Sequence, residues 1–462
     1  MEIRSIKYVA DACSGELLKG SPDTLVHALR TDSRRVQRGD LFLALKGDRF
    51  DGHNFINEVA ARQVAGVLVE RFRLPLNLPD CAVIAVDNTR QALSQIGSRY
   101  RRDFSVPLIA VGGSNGKTTT KELIGAALGH TFKTLSSQAS FNNDIGVPLT
   151  LLNLEQSHQA GVLEVGTNHP GELAPLVRMI QPKFGVITSI GREHLEFFGD
   201  LAGVIEEEGW LAELLPADGR LYVNGDSPEL REFGRRTRAS IVRVGFHSTN
   251  QWHARELRMD TRGVRFNVET ADSEYSGTYE VALLGRHQVI NALLAIAVGK
   301  DFGLSRSQIQ DGLARCATPK MRLQLWQIDG VDVLDDSYNA NGDSMQAALE
   351  TLRDFPCQGR RVAVLGDMAE LGRHGLEAHA EVGRCAARTG VNHLFAVGQM
   401  AAVMGKAARN AGLSAVDEFE AVGGAGQAVR SFVRPGDVVL LKASRATGLE
   451  RIGEMLKAAC SS

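Results

Sequence analysis

Apolar runs alternate with helix-compatible stretches along most of this chain. In the middle of the chain, four runs have the length of buried strands: 107–111, 162–165, 184–190 and 221–224. A second alternating pattern begins near residue 318, with predicted strands at 331–334, 361–365, 393–397 and 437–442. Such alternation is typical of parallel sheets with helices on both faces. The pattern predicts an α/β protein with a central parallel sheet and a C-terminal, Rossmann-like sheet.

The beginning of the chain has a different, mixed α/β pattern. Segments 41–45 and 66–69 are strand-like, and 99–103 is interpreted as a polar break before the central sheet. Within the central part, a β-rich insert is predicted at 263–284, followed by a closing helix at 288–302. The Thr-Pro pair at 318–319 marks the next boundary. The predicted domains are 1–104, 105–317 and 318–462.

Composition limits the class of protein. The chain has 462 residues, of which 44% are hydrophobic and 23% charged, as in soluble globular proteins of about three domains. A formal net charge of −2 argues against a nucleic-acid or membrane-surface binder. The six cysteines form no C-x-x-C pair, the N-terminus lacks an apolar signal core, and no apolar run could span a bilayer. We expect a cytoplasmic protein without membrane insertion or a nucleic-acid partner.

The segment 107–128 has the strand–loop–helix order of a phosphate-binding loop. Its glycines allow close approach of backbone N–H groups to phosphate, and the helix N-terminus favours an anion. Lys117 would reach the β- and γ-phosphates, and the Thr118 hydroxyl would bind Mg²⁺. Val111 stands where the full pattern has glycine, so a glycine turn that merely starts a helix is the alternative. The predicted loop residues are Gly113, Ser114, Asn115, Gly116, Lys117, Thr118 and Thr119.

Two further side chains follow predicted strands of the same sheet. Glu164 ends one strand, and His194 comes shortly after the strand at 184–190. Either could bind a divalent ion at the carboxyl edge of the sheet. The alternatives are a solvated strand-end acid and a structural histidine. The acidic run 206–208 is interpreted first as a solvated helix face.

Arg322 lies just after the 318–319 boundary and could act on the γ-phosphate like an arginine finger, or form a surface salt bridge. The string Asp-Asp-Ser-Tyr-Asn-Ala-Asn at 335–341 could hold a nucleoside through its acids, tyrosine and asparagines. An Asx-rich turn is the alternative for this string.

Taken together, these features resemble the Mur ligases of peptidoglycan synthesis over essentially the whole chain. The strings that support the resemblance are the phosphate-binding loop and 31–34, 41–47, 50–53, 142–150, 164–169, 285–287 with 291–292, 335–341, 365–372 and 442–445. The strings 335–341 and 365–372 favour the branch that adds D-alanyl-D-alanine. The branch that adds the third residue would show Asp-Tyr-Ala-His and Asp-Asn-Pro-Arg strings, which this sequence lacks. Folylpolyglutamate synthetases share the loop variant, including the missing first glycine, but not these strings.

The resemblance implies an ATP-dependent amide ligase, a monomer that uses ATP and two Mg²⁺ ions. Its substrates would be UDP-N-acetylmuramoyl-tripeptide and D-alanyl-D-alanine. The three domains would bind the UDP-sugar, ATP and the amine substrate, in that order.

The resemblance also assigns residues to these ligands. The implied contacts to the ATP phosphates and the metal are Lys117, Thr118, Glu164 and His194, and Arg322 would contact the γ-phosphate. For the nucleoside, the resemblance implies Asn291 at adenine and Asp336 at ribose, with Tyr338 and Asn339 nearby. Implied substrate contacts are Ser33, Lys46, Asp51, His53, Asn142 and Asn143 for the UDP-sugar substrate, and Ser444 and Arg445 for the dipeptide carboxylate.

One position departs from the family pattern. Many Mur ligases have a carbamylated lysine just before the glycine of the segment matching 203–211, and its carbamate helps to hold the second Mg²⁺. Here the matching residue is Glu208. Our hypothesis is that the Glu208 carboxylate replaces the carbamate. The alternative is that Glu208 faces solvent and the second ion has other ligands.

Overall fold

The computed structural model describes residues 1–47 and 50–458. The chain divides into two compact units. The first unit comprises Met1–Ala110, Phe132–Thr167 and Glu172–Lys183, and the second comprises Val111–Thr131, Asn168–Gly171 and Phe184–Ser462.

The strands are β1 (Arg4–Ser5), β2 (Glu16–Lys19), β3 (Leu25–Val26), β4 (Leu29–Arg30), β5 (Leu41–Leu43), β6 (Gly66–Glu70), β7 (Ala82–Val86), β8 (Leu108–Gly112), β9 (Thr134–Ser136), β10 (Ala160–Glu164), β11 (Phe184–Ile187), β12 (Arg220–Asn224), β13 (Ser240–Gly245), β14 (Trp252–Asp260), β15 (Gly263–Thr270), β16 (Gly277–Val281), β17 (Gln324–Ile328), β18 (Val331–Asp335), β19 (Arg361–Gly366), β20 (His393–Val397), β21 (Val416–Phe419) and β22 (Val438–Lys442).

The α-helices are α1 (Ile6–Ala12), α2 (Ile56–Ala60), α3 (Thr89–Arg101), α4 (Lys117–Gly129), α5 (Gly146–Leu151), α6 (Leu173–Ile180), α7 (Leu195–Phe198), α8 (Leu201–Glu213), α9 (Leu230–Arg236), α10 (His287–Asp301), α11 (Arg306–Ala314), α12 (Gly342–Asp354), α13 (Gly375–Arg388), α14 (Ala401–Asn410), α15 (Val422–Phe432) and α16 (Glu450–Ala458).

The first unit contains a five-stranded sheet in the order β2-β7-β6-β5-β4. Its pairs are parallel except that β2 runs antiparallel to β7. Every residue of β6 and β7 is buried, as expected of parallel strands covered on both faces. The unit also contains the parallel pair β10–β9, with the first three residues of β8, 108–110, next to β10.

The predicted polar break at 99–103 is wrong in its first half. Helix α3 continues to Arg101, and Tyr100 is fully buried. Arg101 is 7% exposed, and its guanidinium donates to the carbonyl oxygens of Phe104, Val106 and Ile180. Each of the three guanidinium nitrogens donates to a carbonyl oxygen, so this charged residue can lie buried in the first unit.

The second unit confirms the alternating pattern of its central part. Strands β11, β12 and β13 are parallel, and β14, β15 and β16 continue the sheet. The antiparallel pairs β14–β15 and β15–β16 form the predicted β-rich insert, which begins earlier than 263 because β14 belongs to it. The closing helix α10 is buried from Gln288 to Gly299, and apart from Gln288 and Asn291 this stretch consists of apolar residues and glycine, as expected of a helix buried on all sides.

The C-terminal sheet has the order β17-β18-β22-β19-β20-β21. The four predicted strands are present as β18, β19, β20 and β22, and their pairs are parallel. The edge strands β17 and β21 were not predicted. They carry polar and partly exposed residues, so they lack the apolar run that identifies the inner strands. Among the described residues, no helix is long and apolar enough to cross a membrane.

Candidate active site

The phosphate-binding loop lies between β8 and α4. Gly113 and Gly116 have φ angles of +108° and +86°, which other residues rarely adopt. A Cβ atom on Gly116 would lie 2.7 Å from Oδ1 of Asn291. Val111 is fully buried within β8. The chain turns only after this residue, so glycine is not required at this position.

Lys117 begins α4, and its ammonium group folds back onto the loop. Nζ donates to the carbonyl oxygens of Gly113 at 2.5 Å and Ser114 at 3.2 Å. The Glu193 carboxylate lies 3.6 Å from the same nitrogen, and the Glu193 side chain is 9% exposed. Burial raises the pKa of Glu193 to about 7, although Lys117 lowers it. Sequence reasoning missed Glu193, because a single acid beside His194 forms no pattern.

Glu208, on α8, contacts the same loop. It is 1% exposed, and its Oε2 accepts a hydrogen bond from the backbone N–H of Gly113 at 2.8 Å. Oε1 is buried and hydrogen-bonds to no described residue. Burial raises the pKa of Glu208 to about 7. The solvated-face interpretation of the run 206–208 is therefore wrong for Glu207 and Glu208, which are both buried, and applies only to Glu206.

Arg322 also reaches the loop. Its Nη2 donates to Oγ1 of Thr118 at 3.2 Å, and its guanidinium carbon lies 4.2 Å from the centroid of the Tyr338 ring. The neighbouring Met321 and Leu323 have φ angles of +57° and +51°. Non-glycine residues in this region are strained and concentrate at functional sites. Arg322 thus points to the phosphate-binding loop and not into a surface salt bridge.

The remaining loop residues contact neighbouring segments. The Ser114 hydroxyl accepts a hydrogen bond from the backbone N–H of Gly191 at 2.9 Å. Oδ1 of Asn115 accepts one from Nδ2 of Asn341 at 3.0 Å. Thr119 is buried in the first turn of α4. The loop is therefore held by the segment after β11 and by the C-terminal sheet.

His194 precedes α7 and contacts a loop of the C-terminal sheet. Its Nδ1 is hydrogen-bonded to the Glu370 carboxylate. The other ring nitrogen, Nε2, lies 3.9 Å from Oε2 of Glu193. Burial lowers the pKa of His194, which favours its neutral form. Glu370 was noted in the sequence only as part of the string 365–372.

Glu164 and the asparagine pair lie in the first unit. Glu164 is 1% exposed at the end of β10. Its Oε1 accepts a hydrogen bond from Nδ2 of Asn142 at 2.8 Å, whereas its Oε2 is buried and bonds to no described residue. Asn143 accepts from the backbone N–H groups of Ile145 and Gly146. Asn142 therefore orients Glu164, and Asn143 shapes the turn before α5.

Three of the predicted UDP-sugar residues, Lys46, Asp51 and His53, are linked by contacts within the first unit. Oδ1 of Asp51 accepts a hydrogen bond from the backbone N–H of His53 at 3.0 Å and lies 2.7 Å from Nδ1 of the same histidine. Nε2 of His53 accepts from the backbone N–H of Glu70 at 3.0 Å. Lys46 pairs with Asp51 through an isolated antiparallel bridge, and Ser33 begins a 3₁₀ turn. These contacts fix the positions of Asp51 and His53.

The nucleoside residues of the resemblance are also hydrogen-bonded within the protein. Asn291 is 5% exposed; its Oδ1 accepts from the Thr120 hydroxyl at 3.1 Å, and its Nδ2 donates to Oε1 of Gln288 at 2.8 Å. Oδ2 of Asp336 accepts from Nζ of the buried Lys442 at 2.5 Å.

The end of β22 completes this region. Nζ of Lys442 also donates to the carbonyl oxygen of Asn339 at 3.1 Å. Ser444 is 3% exposed, and its hydroxyl donates to the carbonyl of Ala340 and accepts from the backbone N–H of Ala369. Arg445 is more exposed and lies 3.3 Å from Glu450. Arg445 is thus open to a ligand, whereas the Ser444 hydroxyl links two loops.

Among the described residues, no three His, Cys, Asp or Glu side chains gather into a group that could hold a metal. Mg²⁺ commonly takes only one or two carboxylates and completes its octahedron with water and substrate phosphates. A buried carboxylate oxygen without a partner suits that kind of ligation. Oε2 of Glu164, at the end of β10, is such an atom in the first unit, and Oε1 of Glu208, on α8, is one in the second.

Three family models match the chain. They describe the Mur ligase family catalytic domain at residues 25–101, the Mur ligase middle domain at 111–299, and the Mur ligase glutamate ligase domain at 321–445. The chain belongs to the Mur ligase family. The phosphate-binding loop, Glu208 and His194 lie within the middle-domain match, and Arg322 and Glu370 lie within the C-terminal one.

This Mur ligase is similar to curated and solved relatives along nearly its whole length. It is 33% identical to UDP-N-acetylmuramoyl-tripeptide–D-alanyl-D-alanine ligase of Bacillus subtilis, with 97% of each chain covered. Identity to the Escherichia coli protein of the same name is 35%, with 86% of each chain covered. A crystal structure of MurF from Acinetobacter baumannii superposes with a TM-score of 0.90 at 31% identity over 99% of each chain. MurF of Thermotoga maritima in complex with ADP gives a TM-score of 0.81 at 26% identity, covering 93% of this chain and 97% of that one.

Proposed function

We propose that this Mur ligase joins D-alanyl-D-alanine to UDP-N-acetylmuramoyl-tripeptide at the expense of ATP. The product is the UDP-N-acetylmuramoyl-pentapeptide precursor of peptidoglycan. The observation that carries the proposal is that relatives 31–35% identical over most of their length share the name of this ligase. The strings 335–341 and 365–372 support the same branch of the family.

Two alternatives concern the acceptor and the chemistry. A sister ligase, or a folylpolyglutamate-type ligase, would use the same activation step with a different amine. A non-catalytic ATP-binding scaffold is disfavoured because three charged side chains, Lys117, Glu208 and Arg322, contact the phosphate-binding loop. A scaffold would have no need for the buried carboxylate of Glu208, which is costly to keep.

The proposed reaction has two steps. The terminal carboxylate of the tripeptide attacks the γ-phosphorus of ATP, so that ADP leaves and an acyl phosphate forms. The free amine of D-alanyl-D-alanine then attacks the acyl carbon, phosphate leaves with the carbon–oxygen bond pair, and the amine nitrogen loses its proton as the amide forms. In the first step two anions must approach each other. Lys117 and Arg322 would offset that repulsion, as positioned cations do in phosphoryl transfer.

The conformation of Lys117 suits this role. Its Nζ is already within the loop, bonded to two loop carbonyl oxygens, so the cation lies in the segment that would bind the phosphates. Water must be kept from the acyl phosphate. The contacts of Arg322 and Asn341 with the loop are of the kind that would cover it.

We also propose that Mg²⁺, as two ions, accompanies ATP. Bound Mg²⁺ would screen the phosphate charge and polarise the γ-phosphoryl group. The residues that would hold it are Thr118, Glu164, His194 and Glu208. Support comes from the buried, unpartnered oxygens of Glu164 and Glu208, because a buried carboxylate oxygen without a hydrogen bond is costly unless a cation meets it.

The hypothesis that Glu208 replaces a carbamylated lysine has a direct test. Glu208→Gln should raise the Mg²⁺ concentration needed for half-maximal rate. Glu208→Lys should be less active than wild type without bicarbonate. Its activity should rise when bicarbonate is supplied, because a lysine at this position could then be carbamylated. Unchanged Mg²⁺ dependence in Glu208→Gln would contradict the hypothesis and assign the second ion to other ligands.

The division into UDP-sugar, ATP and amine-substrate domains at 1–104, 105–317 and 318–462 remains our proposal. The contacts of Asn291 with adenine, of Asp336 with ribose and of Arg445 with the dipeptide are also proposals.

We propose that the enzyme acts as a monomer in the cytoplasm. Its product would serve cell-wall synthesis and, through it, cell shape and division.

The deciding experiment measures phosphate release by the purified protein with ATP, Mg²⁺, UDP-N-acetylmuramoyl-tripeptide and D-alanyl-D-alanine, omitting each in turn. Mass spectrometry identifies the product. Turnover that needs both substrates and yields the pentapeptide is expected. Turnover with another amine only would indicate a sister ligase, and no turnover with any acceptor would favour the scaffold.

A further inference from the structure

Two loops of the second unit meet through residues in unusual backbone conformations. His194 follows β11, and Glu370 follows β19. Their φ angles are +49° and +58°, a region that non-glycine residues occupy rarely and mainly at functional sites. The Nδ1 of His194 is hydrogen-bonded to the Glu370 carboxylate. Two strained residues that meet at one hydrogen bond indicate that the surrounding structure maintains this contact.

The backbone of the two loops supports the same contact. The N–H of Glu196 donates to the carbonyl oxygen of Glu370 at 3.0 Å. Gly372 has a φ angle of +50°, and a Cβ atom there would lie 3.2 Å from the Cα of Glu196. The loop 370–372 can therefore approach the start of α7 closely, and the Glu370 side chain is directed at the ring of His194.

We propose that Glu370 is a positioning residue that fixes His194 in the tautomer with its proton on Nδ1, leaving the Nε2 lone pair to bind the metal ion. This inference rests on the proposed role of His194 as a metal ligand. A neutral imidazole has one donor and one acceptor nitrogen, and an ionised carboxylate can only accept. The nitrogen that faces Glu370 must then carry the proton.

The other side of the ring agrees with this assignment. Nε2 of His194 lies 3.9 Å from Oε2 of Glu193, which is beyond hydrogen-bond distance. Metal-binding histidines usually donate their second N–H to a carboxylate, which orients the ring and increases the basicity of the ligating nitrogen. Here the carboxylate that faces the second ring nitrogen, Nδ1, is that of Glu370.

The contact between His194 and Glu370 would couple metal binding to the position of the loop 370–372. His194 belongs to the segment after β11, whereas Glu370 belongs to the loop after β19 in the C-terminal part of the chain, which is expected to bring the amine substrate. The metal ligand would therefore be fully oriented only while the loop 370–372 is docked. Binding of the metal and docking of that loop should strengthen each other.

The first test reads the tautomer in the metal-free wild-type enzyme. Nitrogen-15 NMR of histidine-labelled protein distinguishes the two ring nitrogens, and His194→Ala identifies the signal of this residue. We expect a protonated Nδ1 and an unprotonated Nε2. A protonated Nε2 with a bare Nδ1 would overturn the proposal without the need for any Glu370 variant.

The second test measures Mn²⁺ binding in the presence of ADP by electron paramagnetic resonance. Glu370→Ala should weaken Mn²⁺ affinity about 10- to 100-fold and abolish the preference for the Nδ1 proton. Glu370→Gln should restore both in large part, because its amide oxygen can still accept from Nδ1. The matched control is Glu377→Ala, an acid on α13 whose side chain is 79% exposed, which should leave both unchanged.

The outcomes separate this inference from the proposed function. Unchanged tautomer and unchanged Mn²⁺ affinity in Glu370→Ala would overturn the role of Glu370. Full Mn²⁺ affinity in His194→Ala would show that His194 is not a ligand and would overturn the inference, whatever acceptor the ligase assay identifies.

Discussion

Within the second unit, the phosphate-binding loop and the C-terminal sheet edge both bury charges, but they differ in how those charges are satisfied. At the loop, one oxygen of the buried Glu208 bonds to no described residue, and Glu193 approaches Lys117 only to 3.6 Å. At the C-terminal edge, both oxygens of Asp336 accept hydrogen bonds, one of them from the buried Lys442.

We attribute this difference to the roles of the two regions, which are ligand binding at the phosphate-binding loop and structural support at the C-terminal edge. A buried charge costs free energy unless it is paired, and a fully paired one contributes to a specific structure. Incomplete pairing, together with shifted pKa values, is typical of functional sites. We therefore expect substitutions at the C-terminal edge to affect stability first, and substitutions at the loop to affect catalysis first.

The largest expected effect is on stability at the C-terminal edge. Lys442→Ala leaves the Asp336 carboxylate without its cation and should lower the free energy of unfolding by about 3–5 kcal/mol. Urea denaturation measures this change. Lys406→Ala, at an exposed position of α14, is the control and should change stability little. A loss below about 1 kcal/mol in Lys442→Ala would mean that the two edges do not differ as described.

The loop should show the opposite behaviour. Lys117→Ala should lower kcat/KM about 10²–10³-fold, because a positioned cation is removed from the reacting phosphate. Its stability should fall less than that of Lys442→Ala, because Glu193 and Glu208 can take up protons when the ammonium is lost. Phosphate release measures the rate, and Lys7→Ala, whose side chain is 64% exposed, should keep wild-type activity. A rate within tenfold of wild type would remove Lys117 from the mechanism.

The pH dependence of stability sharpens the comparison. The folded pKa of Glu208 is about 7, above the ordinary value of 4.5, so the folded state holds the proton more tightly. The favourable contribution of the protonated group is complete below pH 4.5 and is lost as pH rises through 7. Metal-free wild type should therefore lose up to about 3 kcal/mol relative to Glu208→Gln between these values.

Urea denaturation at several pH values, in the presence of a chelator, measures this difference. Glu206→Gln is the matched control, because Glu206 lies on the same helix with a side chain that is 71% exposed. Its difference from wild type should not vary over this range. A flat difference for Glu208→Gln as well would show that burial does not raise the pKa of Glu208 in the folded state.

The smallest expected effect concerns Tyr338, whose ring faces the Arg322 guanidinium. Tyr338→Ala should lower kcat about tenfold, in line with the free energy of a partly buried cation–π contact. Tyr338→Phe should retain most of the wild-type kcat, because its ring can make the same contact. A double-mutant cycle with Arg322→Ala checks the coupling. Equal effects of Tyr338→Ala in both backgrounds would show that the tyrosine acts independently, for example on the nucleotide base.

Much of the fold was predictable because it follows from local patterns. The inner strands of both parallel sheets are apolar runs, and the loop at 112–118 carries glycines where the backbone needs positive φ. The edge strands β17 and β21 escaped prediction because their partly exposed residues lack that apolar run. Arg101 was misplaced because its burial depends on carbonyl groups from other segments, such as that of Ile180.

By itself, the sequence determined the fold class, the phosphate-binding loop and the resemblance to the Mur ligases, since each depends on residues that are close along the chain. Only the tertiary structure decided that Glu193 approaches Lys117, that Glu208 is buried against Gly113, and that Glu370 contacts His194. These contacts join segments far apart in the chain, and their energies depend on burial and distance, which no short string of residues specifies.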